Sequence, residues 1–294
     1  MPVSPDKVRN FARRIRGMQS EGLALSNETR LRVFKIVDGH RKTINDAIRQ
    51  AATEGGKELP TVAAPKLSEL IRAESDEMAE EIREALQDAQ REAIDAAVAR
   101  IESIADEAEL EGMFFAPSAD LAITAQGYAA ELVSTITPEL MPQVNTILGR
   151  AGIGGITPFE AMKQIDTVIG AGGAGGVSYQ AERIVRTEVN RIYNVTLDTQ
   201  LQSLKAHMPN PKALKKTWQF GSWRPGRRED HQQMDGVSVP FDEPFLLPSG
   251  VKLMYPHDAM GDDSMATNTV AGETICCACG YTVDEESVIE ALES

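Results

Sequence analysis

The sequence predicts an α+β fold: a mostly helical N-terminal region with one long amphipathic helix, then a small α+β C-terminal domain with short strands. Three observations predict it. An apolar stripe at helical spacing runs over residues 66–111 with no Gly or Pro until Gly112. A run of glycine and alanine, GAGGAGG, occupies 170–176. After Pro209 and Pro211 the helical period gives way to short strand-like runs punctuated by Gly and Pro.

Taken in order, residues 1–60 read as a basic helical segment. Val8, Phe11, Ile15 and Met18 recur at three and four, as do Leu31, Phe34, Val37, Ile44 and Ile48. Gly55, Gly56, Pro60 and Pro65 mark a linker. Residues 61–169 read as a helical assembly region. Its long helix carries Leu67, Leu70, Ile71, Met78, Ile82, Leu86, Ala89, Ala93, Ala97, Ile101, Ile104 and Ala108 on one face and dense Glu and Asp on the other. At 1.5 Å per residue such a helix is roughly 65–70 Å long, more than a compact enzyme usually needs. Ser118 is placed to cap a helix reaching about Thr135, and Thr137-Pro138 opens another. Thr157-Pro158-Phe159-Glu160 has the form of a capping box with proline at the first helical position.

Gly170, Gly172 and Gly175 match G-x-G-x-x-G, but a helix precedes them and the strand of a dinucleotide-binding unit is missing. Residues 170–177 are therefore expected to form a flexible hinge ahead of a C-terminal domain at 178–294. That domain opens with a helix at 179–206, capped by Ser178, whose apolar face is Ile184, Val185, Val189, Ile192, Leu197, Leu201 and Leu204. Short strands are expected at 217–220, 237–239 and 253–255.

The formal charge is −14, unevenly spread: +6 over 1–50, −11 over 51–115, −3 over 116–178, +5 over 179–232 and −11 over 233–294. Such a chain is not, as a whole, a nonspecific nucleic-acid binder, which needs cationic charge facing phosphate. Only the two basic blocks can meet phosphate or an acidic partner. Arg13, Arg14 and Arg16 in the first, and Arg183 and Arg186 in the second, are the candidate contacts. No apolar run reaches membrane-spanning length, no secretory signal is visible, and the three cysteines clustered at 276, 277 and 279 fit a reducing compartment.

The C-terminal residues carry a resemblance. AERIVRTEVNRIYN is followed by KTW, RREDHQQMDGVSV, EPFLLPSGVKLMYPHD and ETICCACGY. In that order, Arg186-Thr187-Glu188, Trp218, Arg228 with His231, Asp235-Gly236, Phe245, Tyr255-Pro256 with Asp258, and Cys277 with Cys279 resemble the C-terminal domain of phage Mu F-like head morphogenesis proteins, also called minor head or minor capsid proteins. The resemblance covers about 179–282. Cys276, Ala278 and Pro225 depart from it, standing where that family has Asn, Arg and an acidic residue, and no family role is carried over to them. The resemblance implies a low-copy structural component of the virion, made in the bacterial host cytoplasm. It implies association with the portal protein at the portal vertex and with other capsid or scaffolding proteins. Assistance in procapsid assembly and in DNA packaging or delivery follows, with at most weak contact to packaged DNA, no membrane and no enzymatic activity.

Two readings of the His and Cys residues stay open. In the first there is no cofactor: the cysteines fill a small core and His231 hydrogen-bonds backbone. In the second, His231, Cys277 and Cys279, with His257 or Asp258 as the fourth ligand, hold a structural zinc, because thiolate and imidazole together suit tetrahedral Zn²⁺. The first is the expectation. The rival function is a metal-dependent enzyme of the phage head, a nuclease or an ADP-ribosyltransferase-like protein using Glu188. Glu188 is instead expected to pair with Arg191 or Arg228.

Overall fold

The computed structural model describes residues 5–54, 59, 63–107, 131, 133–170, 176–221 and 228–292. Its helices are α1 (Pro5–Glu54), α2 (Ala63–Glu107), α3 (Ile136–Gly152), α4 (Pro158–Ile169) and α5 (Val177–Ala206). A 3₁₀ turn (Pro211–Ala213) leads into β1 (Lys215–Gln219), α6 (Glu229–Gln233), β2 (Ser238–Pro240), β3 (Phe245–Leu246), β4 (Lys252–Leu253), α7 (Val270–Thr274), β5 (Gly280–Val283) and α8 (Glu285–Leu292). The α+β class holds. The helix expected from Ser118 falls almost wholly outside the described residues, as do 108–111, 171–175 and Pro225.

The buried face of α2 includes Ile71, Ile82, Ala93 and Ile104, eleven residues apart, and that of α1 includes Ile15, Ser26, Val37 and Ile48 at the same interval. Eleven residues in three turns is 3.67 per turn, close to the helix's own 3.6, so a straight helix keeps such a stripe on one side. The expected register of α1 needs one correction. Leu31 is exposed and Phe34 half-buried, and the buried line runs instead through Ser26, Thr29, Val33, Val37 and His40. Polar side chains occupy the inward positions, so hydrophobicity alone pointed to the neighbouring face. On α2, Leu70 is exposed, one position off the buried line through Leu67 and Ile71, and Pro65 lies within the first turn rather than in the linker. Proline is tolerated there because the first amides of a helix have no intrahelical acceptor.

The chain gathers into two compact units. The helical unit contains Glu28–Asp88 and Gln126–Val185. Within it α1 and α2 pair antiparallel: Arg32 Nη2 lies 3.2 Å from Asp88 Oδ2, and His40 Nδ1 lies 2.9 Å from Glu74 Oε2. Asn45 Nδ2 donates to Asp166 Oδ1 at 2.6 Å and ties α4 to α1. The capping box of α4 forms as expected: the Thr157 hydroxyl accepts from the Glu160 amide at 3.2 Å, and the Thr157 amide donates back to Glu160 Oε2 at 2.8 Å.

The mixed unit contains Met1–Asn27, Ala89–Ala125 and Arg186–Ser294. Its sheet is antiparallel in the order β2-β1-β5, and β3 pairs with β4. Strand β5 was not expected from sequence: all four residues are buried, so it lacks the alternation that marks a half-exposed strand. The first half of α1 belongs here. Gln19 Nε2 donates to the Ala278 carbonyl at 2.8 Å, and Arg100 Nε lies 3.1 Å from Glu21 Oε1. A methyl group at Gly22 would stand 3.0 Å from the Tyr193 ring, which lets α5 approach α1 closely.

These units cut across the expected division. The glycine segment does not separate them: Gly170 and Gly176 both lie in the helical unit, and a Cβ on Gly176 would sit 3.0 Å from the Gly170 Cα, so the two ends of the segment meet. The unit boundary falls between Val185 and Arg186, inside α5. That helix begins at Val177, ahead of the expected Ser178 cap. It is also enclosed rather than one-faced. Besides the expected apolar residues, of which only Ile184 is half-buried, it buries Thr187, Glu188, Asn190, Asn194, Thr196 and Gln200. Asn190, Asn194 and Thr196 are satisfied by carbonyls one turn back, Asn190 by Arg186 at 2.7 Å.

Candidate metal centre

The turn after α7 carries Cys276 at φ 54°, which bends the chain so that Cys277 and Cys279 both face inward. Gly221, just beyond β1, lies under this turn, where a Cβ would sit 2.0 Å from the Ala278 carbonyl. Only glycine fits so close a backbone approach. His231 arrives from α6. Its Nδ1 lies 3.4 Å from Cys279 Sγ and 3.5 Å from Cys277 Sγ, and the three ligand atoms all fall within 4.8 Å of one another. The Trp218 ring meets the His231 ring edge-on at 5.4 Å and that of Phe245 at 5.2 Å, closing this side with aromatic surface.

His231 does not bond backbone, as the cofactor-free reading expected. Its Nε2 meets Glu273 Oε2 at 2.8 Å, and Glu273 is itself buried and accepts from Asn268 Nδ2 at 2.7 Å. Sequence reasoning missed Glu273, since a single acid in a loop-rich stretch gives no periodic signal. Arg228 donates to the carbonyls of Gly272, Glu273 and Ile275, fixing α7 and the turn behind the cysteines. The Cys276 amide donates to Thr187 Oγ1 at 3.0 Å, which ties the same turn to α5.

Burial raises the Cys277 thiol, but a hydrogen bond from Cys279, the charge of the nearby His257 and the hydrogen bond to His231 together bring it well below the ordinary thiol value. Cys279 moves the other way, its proton held by the bond to Cys277 and by burial. Burial would lower His231, yet the bond to Cys277 and that sulfur's charge, with Glu273 behind them, raise it. Of the two thiols, Cys277 is therefore the more acidic. The Cys279 amide also donates to Cys277 Sγ at 3.3 Å, and Cys279 Sγ lies 3.6 Å from the Gly221 carbonyl.

His257 and Asp258 separate clearly as fourth members. Asp258 is spent on its own turn, accepting from the amides of Met254 at 2.9 Å and Met260 at 2.8 Å. His257 is 0% exposed, and neither ring nitrogen has a hydrogen-bond partner. It stands near enough to Cys277 for its charge to act on that thiol. A second His/acid group, His40 with Glu74 and Glu77, lies in the helical unit, where His40 is already paired.

The candidate basic contacts are dispersed. On α1, Arg13 and Arg16 are exposed and Arg14 half-buried. Arg183 is exposed, its guanidinium 5.7 Å from the Tyr179 ring centroid, and belongs to the helical unit, whereas the half-buried Arg186 belongs to the mixed unit. Glu188 pairs with Arg191, Nη1 to Oε1 at 2.8 Å, and not with Arg228. No helix among the described residues is long and apolar enough to cross a membrane. Comparison with family models, curated proteins and solved structures finds no match.

Proposed function

We propose that this protein is a phage minor head protein of the Mu F-like head morphogenesis kind. In this reading it is a structural, non-enzymatic component of the virion that docks at the portal vertex and assists procapsid assembly and DNA packaging or delivery. The observation that supports the reading most is convergence. The residues that carry the resemblance are scattered from Arg186 to Cys279, yet they lie in one unit and most of them brace one another. Thr187 receives the cysteine turn, Arg228 holds α7, Trp218 lies between His231 and Phe245, and Asp235 Oδ1 accepts from the Phe220 amide at 2.9 Å. These are jobs of framework residues. His231, His257, Cys277 and Cys279 are all at most 2% exposed, which favours a role inside the fold over attack on a bound substrate.

The portal protein and other capsid or scaffolding proteins are the partners in this reading. The exposed arginines of the first basic block supply at most weak, salt-sensitive contact with packaged DNA. The test is co-expression with the portal, scaffolding and capsid proteins of the same phage. The protein should co-purify with portal complexes and with procapsid particles. Its absence from both would overturn the proposal. Nuclease or NAD-glycohydrolase turnover by the isolated protein would favour a head-borne enzyme instead.

A further inference from the structure

We infer that His231, Cys277, Cys279 and His257 hold one zinc ion in a closed, structural, four-protein-ligand site. The inference is independent of the head-assembly reading and rests on four observations. The first is spacing. In a tetrahedral site with Zn–S near 2.3 Å and Zn–N near 2.0–2.1 Å, neighbouring N and S ligand atoms stand about 3.6 Å apart. His231 Nδ1 lies 3.4 and 3.5 Å from the two sulfurs, close to that edge length. One ring nitrogen carries at most one proton and cannot donate it well to two sulfurs at once. A shared metal satisfies both contacts together.

The second is the far side of His231. A metal-bound histidine usually gives its other N–H to a carboxylate, which fixes the ring and raises its basicity. Nε2 against the buried Glu273 at 2.8 Å is that arrangement, with Nδ1 left to face the sulfurs. The third is His257. A buried imidazole with two unpartnered nitrogens leaves costly polar atoms in an apolar interior. Coordination through one of them removes that cost: the ring lies within electrostatic reach of Cys277, outside the 4.8 Å cluster of the other three ligand atoms, and closes on them as the fourth ligand when the ion binds.

The fourth is the backbone. Among the described residues, the non-glycine positions with positive φ are Arg228 at 61°, His257 at 73° and Cys276 at 54°. One is a proposed ligand, one precedes a ligand directly, and one lies three residues before a ligand. Such conformations persist where the surroundings over-determine them, and here they gather around one point. Two thiolates and two imidazoles from a fully buried shell leave no open position for substrate, so the ion's work is to fasten α6, the segment after β4 and the turn before β5.

The test uses the full-length protein. Purified without chelator, it should carry about one zinc per chain, as expected when metal affinity is part of the folding free energy. Replacing zinc with cobalt should give the strong visible bands of a tetrahedral ion and a sulfur-to-cobalt charge-transfer band. His257→Gln is the decisive variant, because its ring makes no hydrogen bond whose loss would unfold the chain. It should weaken zinc retention at least tenfold and alter the cobalt spectrum, while Cys276→Ser changes neither. A metal-free wild-type protein that shows no cobalt bands would overturn the inference. So would a His257→Gln protein with unchanged zinc retention and spectrum.

Discussion

The helical unit and the mixed unit are stabilised in different ways. The helical unit is built by repetition: Val33, Val37, Ile44 and Ile48 on α1 lie within the same unit as Ile71, Met78 and Ile82 on α2, and its cross-helix polar links, such as Asn45–Asp166 and Arg32–Asp88, sit at part-buried or exposed positions. The mixed unit buries charge. Lys216 and His231 are 0% exposed, Glu188 2% and Glu273 3%. Lys216 Nζ donates to the Met254 carbonyl at 2.6 Å and lies 5.4 Å from the Phe245 ring centroid. A unit built on buried apolar stripes tolerates pH change and fails by cavity. One built on buried ionisable groups also answers to protons and, by the inference above, to metal.

The same difference explains what the sequence could tell. Stripes and caps are local, so α2 and the Thr157 capping box were legible to within a few residues. The register of α1 was misread where Ser26, Thr29 and His40 take inward positions. The glycine segment, read as a hinge, has residues 171–175 outside the described residues, and composition does not reveal that its ends, Gly170 and Gly176, approach each other. At the candidate centre, residue types and order pointed to His231, Cys277, Cys279 and His257. Glu273 and the two orphan nitrogens of His257 are products of tertiary packing, and no spacing rule encodes them. Strand β5 was missed because a fully buried run has no alternation to read.

The largest expected effects come from cutting cavities on either side of the comparison. Phe245→Ala in the mixed unit should cost about 3–5 kcal/mol and Ile82→Ala in the helical unit about 2–5 kcal/mol, the usual range for large-to-small core changes. Trp218 belongs to the mixed unit, and Trp223 lies outside the described residues, so in a Trp223→Phe background fluorescence reports that unit while far-ultraviolet circular dichroism reports helix throughout. Phe245→Ala should lower the fluorescence midpoint, and Ile82→Ala chiefly the dichroism midpoint. Equal shifts of both signals in both variants would mean that the units melt as one, and the comparison would fail.

A smaller effect separates the units by pH. Burial pushes Glu188 up from 4.5 to about 7, against the charge and hydrogen bond of Arg191. The folded state therefore binds this proton more tightly than the unfolded chain, and stability falls as pH rises from 4.5 to 7. Burial also pushes Lys216 down from 10.5 to about 8, against the nearby Asp198, Asp242 and Asp258. Here the unfolded chain binds the proton more tightly, so stability rises between pH 8 and 10.5. Each limb is on the order of 3 kcal/mol at full shift. The fluorescence midpoint should pass through a minimum between pH 7 and 8. Glu188→Gln should flatten the acid limb and Lys216→Met the alkaline one. A wild-type profile without a minimum would show that these groups are better solvated than their burial implies.

The smallest effect belongs to the helical unit and tests whether its stability is as local as its sequence signals. Thr157 caps α4 through a reciprocal pair of bonds with Glu160, both at the exposed surface. Thr157→Ala removes the acceptor for the Glu160 amide but leaves Pro158 to set the first helical residue. The loss should be about 1 kcal/mol, the ordinary worth of a side-chain cap. Glu160 is held below the usual carboxylate range by the bonds from the Thr157 amide and hydroxyl. Part of the cap's contribution should therefore vanish in acid as that carboxylate protonates, so the difference between wild type and Thr157→Ala narrows at low pH. Hydrogen exchange at the amides of 158–161 should quicken in the variant while amides of the mixed unit keep their rates. If protection fell equally in both units, the cap would be contributing to global stability. The local character assigned to the helical unit would then be wrong.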